Sequence, residues 1–260
     1  MPPVSIERRG AVALLTLDNP PANALGSPVL AELATAIESL AGDDSRAIVL
    51  CGGAGRFFSA GLDLFEVARL VTSPDAHAFA RLFDDVVTGL FALEKPVVAA
   101  VNGHAIAGGA VLAATADLRL VADAELKMGL TEIQVGVAFP TSALEVVRFS
   151  CAGRYLREIL YRGQTYGPAD AVARCLADEI VPAAELESRA LALAGELAEA
   201  RPLAFASSKR ALRAEYLARI RAAAASGLDP VWLTWQTQDA MQAMNAFRER
   251  TLRKKAGLDR

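Results

Sequence analysis

The chain has 260 residues, 53% hydrophobic and 22% charged, with Gly 19 and Pro 12, a composition that excludes disordered, collagenous and low-complexity classes. Twenty-seven basic residues against thirty acidic give a formal charge of -3, and Lys and Arg do not cluster before the last few residues, so nucleic acid is not an expected partner. Cys51, Cys151 and Cys175 are widely separated, form no CxxC pair and have only His77 and His104 to assist them, which argues against a disulfide framework or a metal site and predicts a reduced compartment. The first ten residues, MPPVSIERRG, lack the apolar stretch of a signal peptide, and a cytoplasmic protein is expected.

In chain order, Val4 to Arg8 and Val12 to Leu17 are apolar-rich runs separated by Gly10 and predict a hairpin. Ser27 followed by Pro28 predicts an N-cap with proline in the first turn, opening a helix whose Leu30, Leu33, Ile37 and Leu40 recur at helical spacing. Ala47 to Cys51 is a short buried strand. Asp75 is expected to cap a helix with Phe79, Leu82, Phe83, Val86, Val87 and Leu90 on one face, stopped by Lys95-Pro96. Val97 to Val101 and Leu118 to Ala122 are two further apolar strands, with a glycine turn and a short helix between them. Pro96 to Ala116 carries no formal charge, but Asn102, Gly103, His104, Gly108 and Gly109 interrupt it, and no membrane span is expected.

Alternating buried strands and helices predict an α/β arrangement with crossover connections. Beyond Pro140 the strand signals nearly cease. Ala143 to Phe149, Arg154 to Tyr161, Ala169 to Cys175, Ala184 to Ala200, Leu203 to Ala225 and Pro230 to Lys255 read as helices rich in Ala, Leu and Arg. The composition shifts near residue 200, so residues 1–200 are expected to form the core and 201–260 a helical C-terminal region packed on it or on a neighbouring subunit.

Three segments can carry chemistry. Phe58-Ser59-Ala60-Gly61-Leu62-Asp63-Leu64 follows a buried strand and begins a helix, and its small residues let a ligand approach backbone N–H groups. Gly103 to Ala110 repeats that logic, without the GxGxxG pattern of a dinucleotide site. Two such loops can direct two N–H groups at one oxygen, the construction of an oxyanion hole, although close packing alone also calls for small residues there. Gly129-Leu130-Thr131-Glu132-Ile133 sets one carboxylate among apolar neighbours, where desolvation would raise its pKa from the roughly 4.3 of a free Glu toward that of a useful base. A Glu that caps a turn or pairs with an Arg fits the same residues.

Taken together, these motifs resemble the crotonase, or enoyl-CoA hydratase/isomerase, superfamily over nearly the whole chain. The match runs through Asn19-Pro20-Pro21-Ala22-Asn23-Ala24-Leu25, FSAGLDL, KPVVAAVNG followed by AGG, Ala116-Asp117, and Gly129 to Gly136. The resemblance implies a spiral of β-β-α units with a helical C-terminal trimerisation region, and homotrimers or homohexamers. It also implies that the N–H groups of Ala60 and Gly108 hold the thioester oxygen of an acyl-CoA, that residues Ala60, Gly61, Leu62, Asp63 and Leu64 line the CoA channel, and that the loop at Ala24 adds backbone contacts. Thr131 and Phe139 are expected at the substrate, Phe139 shaping the acyl pocket together with Phe65, Val67 and Leu70. Coenzyme A enters as part of the substrate, and no separate cofactor is implied.

Hydratases of this family use two glutamates. The first of those positions is Val111 here, which can neither orient water nor carry a proton, whereas Glu132 matches the acid retained in Δ3,Δ2-enoyl-CoA isomerases. The Gly-Leu-Thr-Glu-Ile-Gln-Val-Gly segment, three residues and then Pro140 resemble that branch too. The reaction expected is therefore double-bond isomerisation with Glu132 as single acid/base; hydration of a 2-enoyl-CoA and a non-catalytic CoA-binding role are the alternatives. His104 and Asp117 are expected to be structural. Cys175 stands where the family usually has Gly, at a cost of about 1 kcal/mol if φ there is positive. Arg248, Arg250, Arg253, Lys254 and Lys255 form a basic end that suits either a solvated helix face or CoA phosphates.

Overall fold

The computed structural model describes residues 2–151, 153–225 and 227–255, with side chains described through residue 250. The expected hairpin forms as β1 (Val4–Arg9) and β2 (Val12–Leu17), turning at Gly10 with φ +63. After helix α1 (Ser27–Gly42) the chain adds β3 (Ala47–Gly52) parallel to β2. Strands β5 (Val97–Val101), β7 (Leu118–Asp123) and β9 (Glu179–Pro182) complete a six-stranded sheet in the order β1-β2-β3-β5-β7-β9. Strands β3 and β5 are buried at every position, which is why they read as unbroken apolar runs rather than as alternation.

A second sheet is absent from the periodicity. It consists of β4 (Phe57–Ser59), β6 (His104–Ile106) and β8 (Met128–Gly129), all parallel, in that order. Strands of two or three residues carry no detectable period, so this layer exists only through its tertiary pairing. Its consequence is functional: the three loops singled out by sequence leave the same edge of one small sheet, at the carboxyl ends of parallel strands, where ligands of such sheets bind. They lead into α2 (Leu64–Leu70), α4 (Gly108–Ala114) and the 3₁₀ turn Glu132–Val135.

The apolar face of α3 (Ala76–Ala92) buries Phe79, Phe83, Val86, Val87 and Leu90 as its spacing predicted. Two capping expectations fail. Gly26, not Ser27, is the N-cap of α1, because the Ser27 hydroxyl and N–H both bond the Glu66 carboxylate, at 2.7 and 2.9 Å. Asp75 holds the N-cap position of α3 but makes no side-chain cap bond. Pro96 to Ala116 resolves into β5, β6 and α4, and among the described residues no helix is long and apolar enough to cross a membrane.

Beyond Pro140 the chain is helical apart from β9: α5 (Thr141–Ser150), α6 (Gly153–Arg162), α7 (Pro168–Ala173), α8 (Leu186–Ala198), α9 (Pro202–Ala224) and α10 (Gln238–Lys255). The expected last helix is broken in two, a 3₁₀ segment Pro230–Gln236 preceding α10. Helix α9 is locked to the core by Asp117, which accepts bonds from Val97 N, Lys209 Nζ and Arg213 Nη2. That is the structural role expected of Asp117. His104 is structural too, its Nδ1 accepting the Lys127 N–H. Cys175 does adopt positive φ, at +60.

Candidate active site

The loop after β4 is fixed from beneath. Buried Ser59 donates its hydroxyl to Asn23 O and accepts Gly61 N–H, while Asn23 Nδ2 reaches the carbonyls of Phe57 and Phe58. Asn19 Nδ2 bonds the Ala24 carbonyl, and Leu25 N bonds Gly61 O at 2.8 Å, so the Ala24 loop lies directly against residues 60–63. Gly61 has φ +82, and a Cβ there would come within 2.8 Å of both Gly108 N and Ile106 O. Glycine is required on both counts.

Ala60 was expected to offer its N–H to the ligand, and here the structure corrects the sequence reading: Ala60 N donates to Ala22 O at 2.9 Å. The N–H left over in this loop belongs to Leu62. Leu25 bridges Leu62 in parallel fashion, donating to Gly61 O and accepting from Asp63 N, so the N–H of Leu62 itself points to the opposite side. On that side lies Gly108: the position a Cβ would take on Gly108 is 3.5 Å from Leu62 N. Gly108 opens α4, where the first N–H groups have no intrahelical acceptor. Ala107 before it holds φ 51 and ψ −124, a strained conformation for a residue with a Cβ, fixed by its N–H bond to Gly129 O and by Val111 N on its carbonyl.

The other channel residues divide by role. The Asp63 carboxylate is occupied as the N-cap of α2, accepting Phe65 N and Glu66 N, and Leu64 begins the helix. Ala24, Ala60, Leu62 and Leu64 are half-buried.

Glu132 follows the end of β8 by three residues, on the chain whose Gly129 carbonyl holds Ala107. Thr131 is the half-buried N-cap of its turn, with the carbonyl accepting Gln134 N. The turn closes at Gly136, φ +71, where a Cβ would press within 3.2 Å of the Ala243 side chain. Helix α10 of the same chain therefore packs on the Glu132 turn, which buries Glu132 while leaving Ile133 and Gln134 exposed. Glu132 is 7% exposed, its Oε2 has no hydrogen-bond partner, and burial pushes its pKa from 4.5 up to about 8. The capped or arginine-paired alternative is thus not what forms. Val111 is fully buried in α4, so no second carboxylate stands at that position.

Phe139 is half-buried against the core, and Val67 and Leu70 line an apolar cavity between α2 and α3, whereas Phe65 is 36% exposed under the Arg248 guanidinium. Sequence reasoning did not find Trp232 and Trp235, which line the same cavity from the far end of the chain. Of the basic C-terminal end, the side chains of Arg253, Lys254 and Lys255 lie outside the described residues.

The small sheet thus carries two closely spaced loop segments, at Leu62 and Gly108, and just past its third strand a buried carboxylate with an unpartnered oxygen. The family profile described as Enoyl-CoA hydratase/isomerase matches residues 7–255, and the chain belongs to this family of enzymes, with the crotonase fold. Among curated relatives, the short-chain-enoyl-CoA hydratase of Clostridium acetobutylicum is 29% identical over 95% of both chains, and the carnitinyl-CoA dehydratase of Proteus mirabilis is 34% identical over 79% of this chain and 78% of its own. Among solved structures, human mitochondrial Δ3-Δ2-enoyl-CoA isomerase superposes with a TM-score of 0.91 at 27% identity, covering 97% of this chain and 99% of the other.

Proposed function

We propose that this enzyme is a Δ3,Δ2-enoyl-CoA isomerase in which Glu132 is the single acid/base. The observation that carries the reading is the pairing of a buried, unpartnered Glu132 carboxylate with a fully buried valine at 111, where a second proton carrier would stand. The thioester oxygen accepts hydrogen bonds from the Leu62 and Gly108 N–H groups. Glu132 removes a C2 proton from a 3-enoyl-CoA, the C3–C4 π bond shifts as negative charge moves onto the held oxygen, and the dienolate takes the same proton back at C4. The product is the conjugated 2-enoyl-CoA, with Glu132 again ionised. The donors stabilise charge only as it develops, which is what lowers the barrier.

Coenzyme A lies along residues 60–64 and the Ala24 loop. The Arg248 guanidinium sits 5.4 Å from the Phe65 ring, beside the segment proposed for CoA, which supports a role for the basic C-terminal helix in holding a CoA phosphate. Leu203 and Leu212 on α9 are 76% and 68% exposed, a surface suited to a homotrimer that can pair into a hexamer. Light scattering that gives a monomer would remove that assignment.

The reaction is tested by ultraviolet assay on a 3-enoyl-CoA and a 2-enoyl-CoA with the native enzyme and Glu132→Gln. A rise in conjugated-thioester absorbance on the first substrate, lost in the variant, is expected. Loss of absorbance on the second without isomerisation would instead make the enzyme a hydratase, the reaction named for several relatives. Binding of CoA esters with silence on both substrates would leave only the binding role.

A further inference from the structure

Gly108 also lies against an aromatic ring: the Cβ position at Gly108 is 3.5 Å from the Phe83 ring. Phe83 meets Trp232 edge to face, with ring centroids 5.9 Å apart at 83°. The two tryptophans stack obliquely, with centroids 4.7 Å apart, and each indole is tethered: Trp232 Nε1 donates to Asp84 Oδ2 at 3.0 Å and Trp235 Nε1 to Ala138 O at 2.9 Å. Asp84 in turn accepts the Ser142 hydroxyl, and Asp229 ties the 3₁₀ segment to the start of α5 through Val231 N and Thr141 N. Behind the rings lies an apolar cavity of about 30 Å³, lined by Val67, Leu70, Phe79, Leu228, Trp232 and Trp235. A volume of that size holds little more than a water or two.

We propose that the Phe83–Trp232 pair is the end wall of the acyl pocket, restricting the enzyme to thioesters of short acyl chain, and that the cavity behind it is the path a longer chain takes once Trp232 is cut back. The inference rests on the thioester oxygen being held at Gly108 and Leu62. From that point an acyl chain meets Phe83 first and Trp232 next, and Trp232 cannot swing aside without giving up its indole bond to half-buried Asp84. Because the wall is built from a residue of α3 and a residue of the C-terminal segment, acyl selectivity depends on a part of the chain remote in sequence from the proposed base.

The test is binding, which does not depend on turnover. Affinities of butanoyl-, octanoyl- and dodecanoyl-CoA are measured by calorimetry for the native enzyme and for Trp232→Ala, with Trp232→Leu as a milder truncation should the first not fold. The native enzyme is expected to gain nothing from butanoyl to octanoyl. The truncated enzyme is expected to gain about tenfold or more, since each newly buried methylene contributes a few-fold. Parallel chain-length profiles in the two proteins would overturn the wall. A second readout follows from the chain having only two tryptophans: in Trp235→Phe, butanoyl-CoA should shift the emission of Trp232 and free CoA should not, and equal responses to both would count against the proposal. If the affinity profile shifts while no 3-enoyl-CoA is turned over, the wall stands and the isomerase reading falls. If neither protein binds any acyl-CoA, both fall.

Discussion

Two enclosed carboxylates of this molecule, Asp117 and Glu132, are treated in opposite ways. Asp117, at the start of β7, receives a backbone N–H, the Lys209 ammonium and the Arg213 guanidinium, while Arg213 also bonds Phe91 O and lies over the Phe91 ring at 4.2 Å. Glu132 is more deeply enclosed and has one oxygen with no partner at all. A buried polar group left unpaired costs folding free energy, so a chain retains one only where something outside the fold will use it. The contrast separates architecture from proposed chemistry: the satisfied carboxylate holds α9 to the sheet, and the unsatisfied one is the group proposed to exchange a proton.

The sharpest way to break that contrast is to neutralise each carboxylate in turn. Glu132→Gln should lower isomerase turnover by about 10²–10⁴-fold, the usual contribution of a positioned acid/base, with a melting temperature near that of the native enzyme below about pH 4.5 and above it at neutral pH. The pH dependence gives the sign. Burial raises the Glu132 pKa from 4.5 to about 8, so between those values the folded state holds a proton that the unfolded chain has released. Stability from this group is therefore full below about 4.5 and is lost as pH rises through about 8, whereas activity, which needs the ionised base, should rise over the same range. Urea unfolding across this window should show the slope in the native enzyme and not in Glu132→Gln; identical slopes would mean that Glu132 is ionised and solvated.

Asp117→Ala should do the reverse. Removing one partner of a buried ionic group strands the others, and about 3–5 kcal/mol of stability should go. Turnover per folded molecule should stay close to native. A variant as stable as the parent would show that the Asp117 cluster does not anchor α9.

Gly108→Ala sharpens the same comparison at the donors. A methyl on Gly108 meets ordinary contact distances, 3.4 Å to Gly61 Cα and 3.5 Å to both Leu62 N and the Phe83 ring, so the fold should tolerate it. Yet the methyl stands over the Leu62 N–H, on the side where the oxygen must sit. Turnover should fall by about 10²-fold, comparable to loss of one oxyanion donor, with little change in melting temperature. Unchanged turnover would move the oxyanion site elsewhere.

How much of this was legible in the sequence follows from what each feature depends on. Strands β3 and β5 and the faces of α1 and α3 were readable because burial imposes a period or an apolar run on the residues themselves. Strands β4, β6 and β8 were not, being two or three residues long and defined by pairing alone. Glu132 was visible as a lone acid among apolar neighbours, and Val111 as the place where a second acid is missing. The identity of the second donor was not readable: whether Ala60 or Leu62 keeps a free N–H is decided by bonds to Ala22 and Leu25, nearly forty residues earlier. Nor was the Trp232 wall, since its partner Phe83 scans as one more apolar position of α3.

The smallest expected effect concerns the C-terminal helix. Arg248 lies on α10, bonds Asn245 Oδ1 through Nη1, and keeps its Nε unpartnered while the guanidinium covers Phe65, two residues past the Asp63 cap that opens α2. If the guanidinium meets a CoA phosphate, Arg248→Ala should raise KM by about tenfold, the scale of one charge-assisted hydrogen bond, and leave kcat within a factor of about two. The loss should shrink with added salt and should vanish when the substrate is a pantetheine thioester lacking the nucleotide. A KM increase that persists on the truncated thioester would instead assign Arg248 to packing over Phe65, making α10 a cover for the Glu132 turn and nothing more.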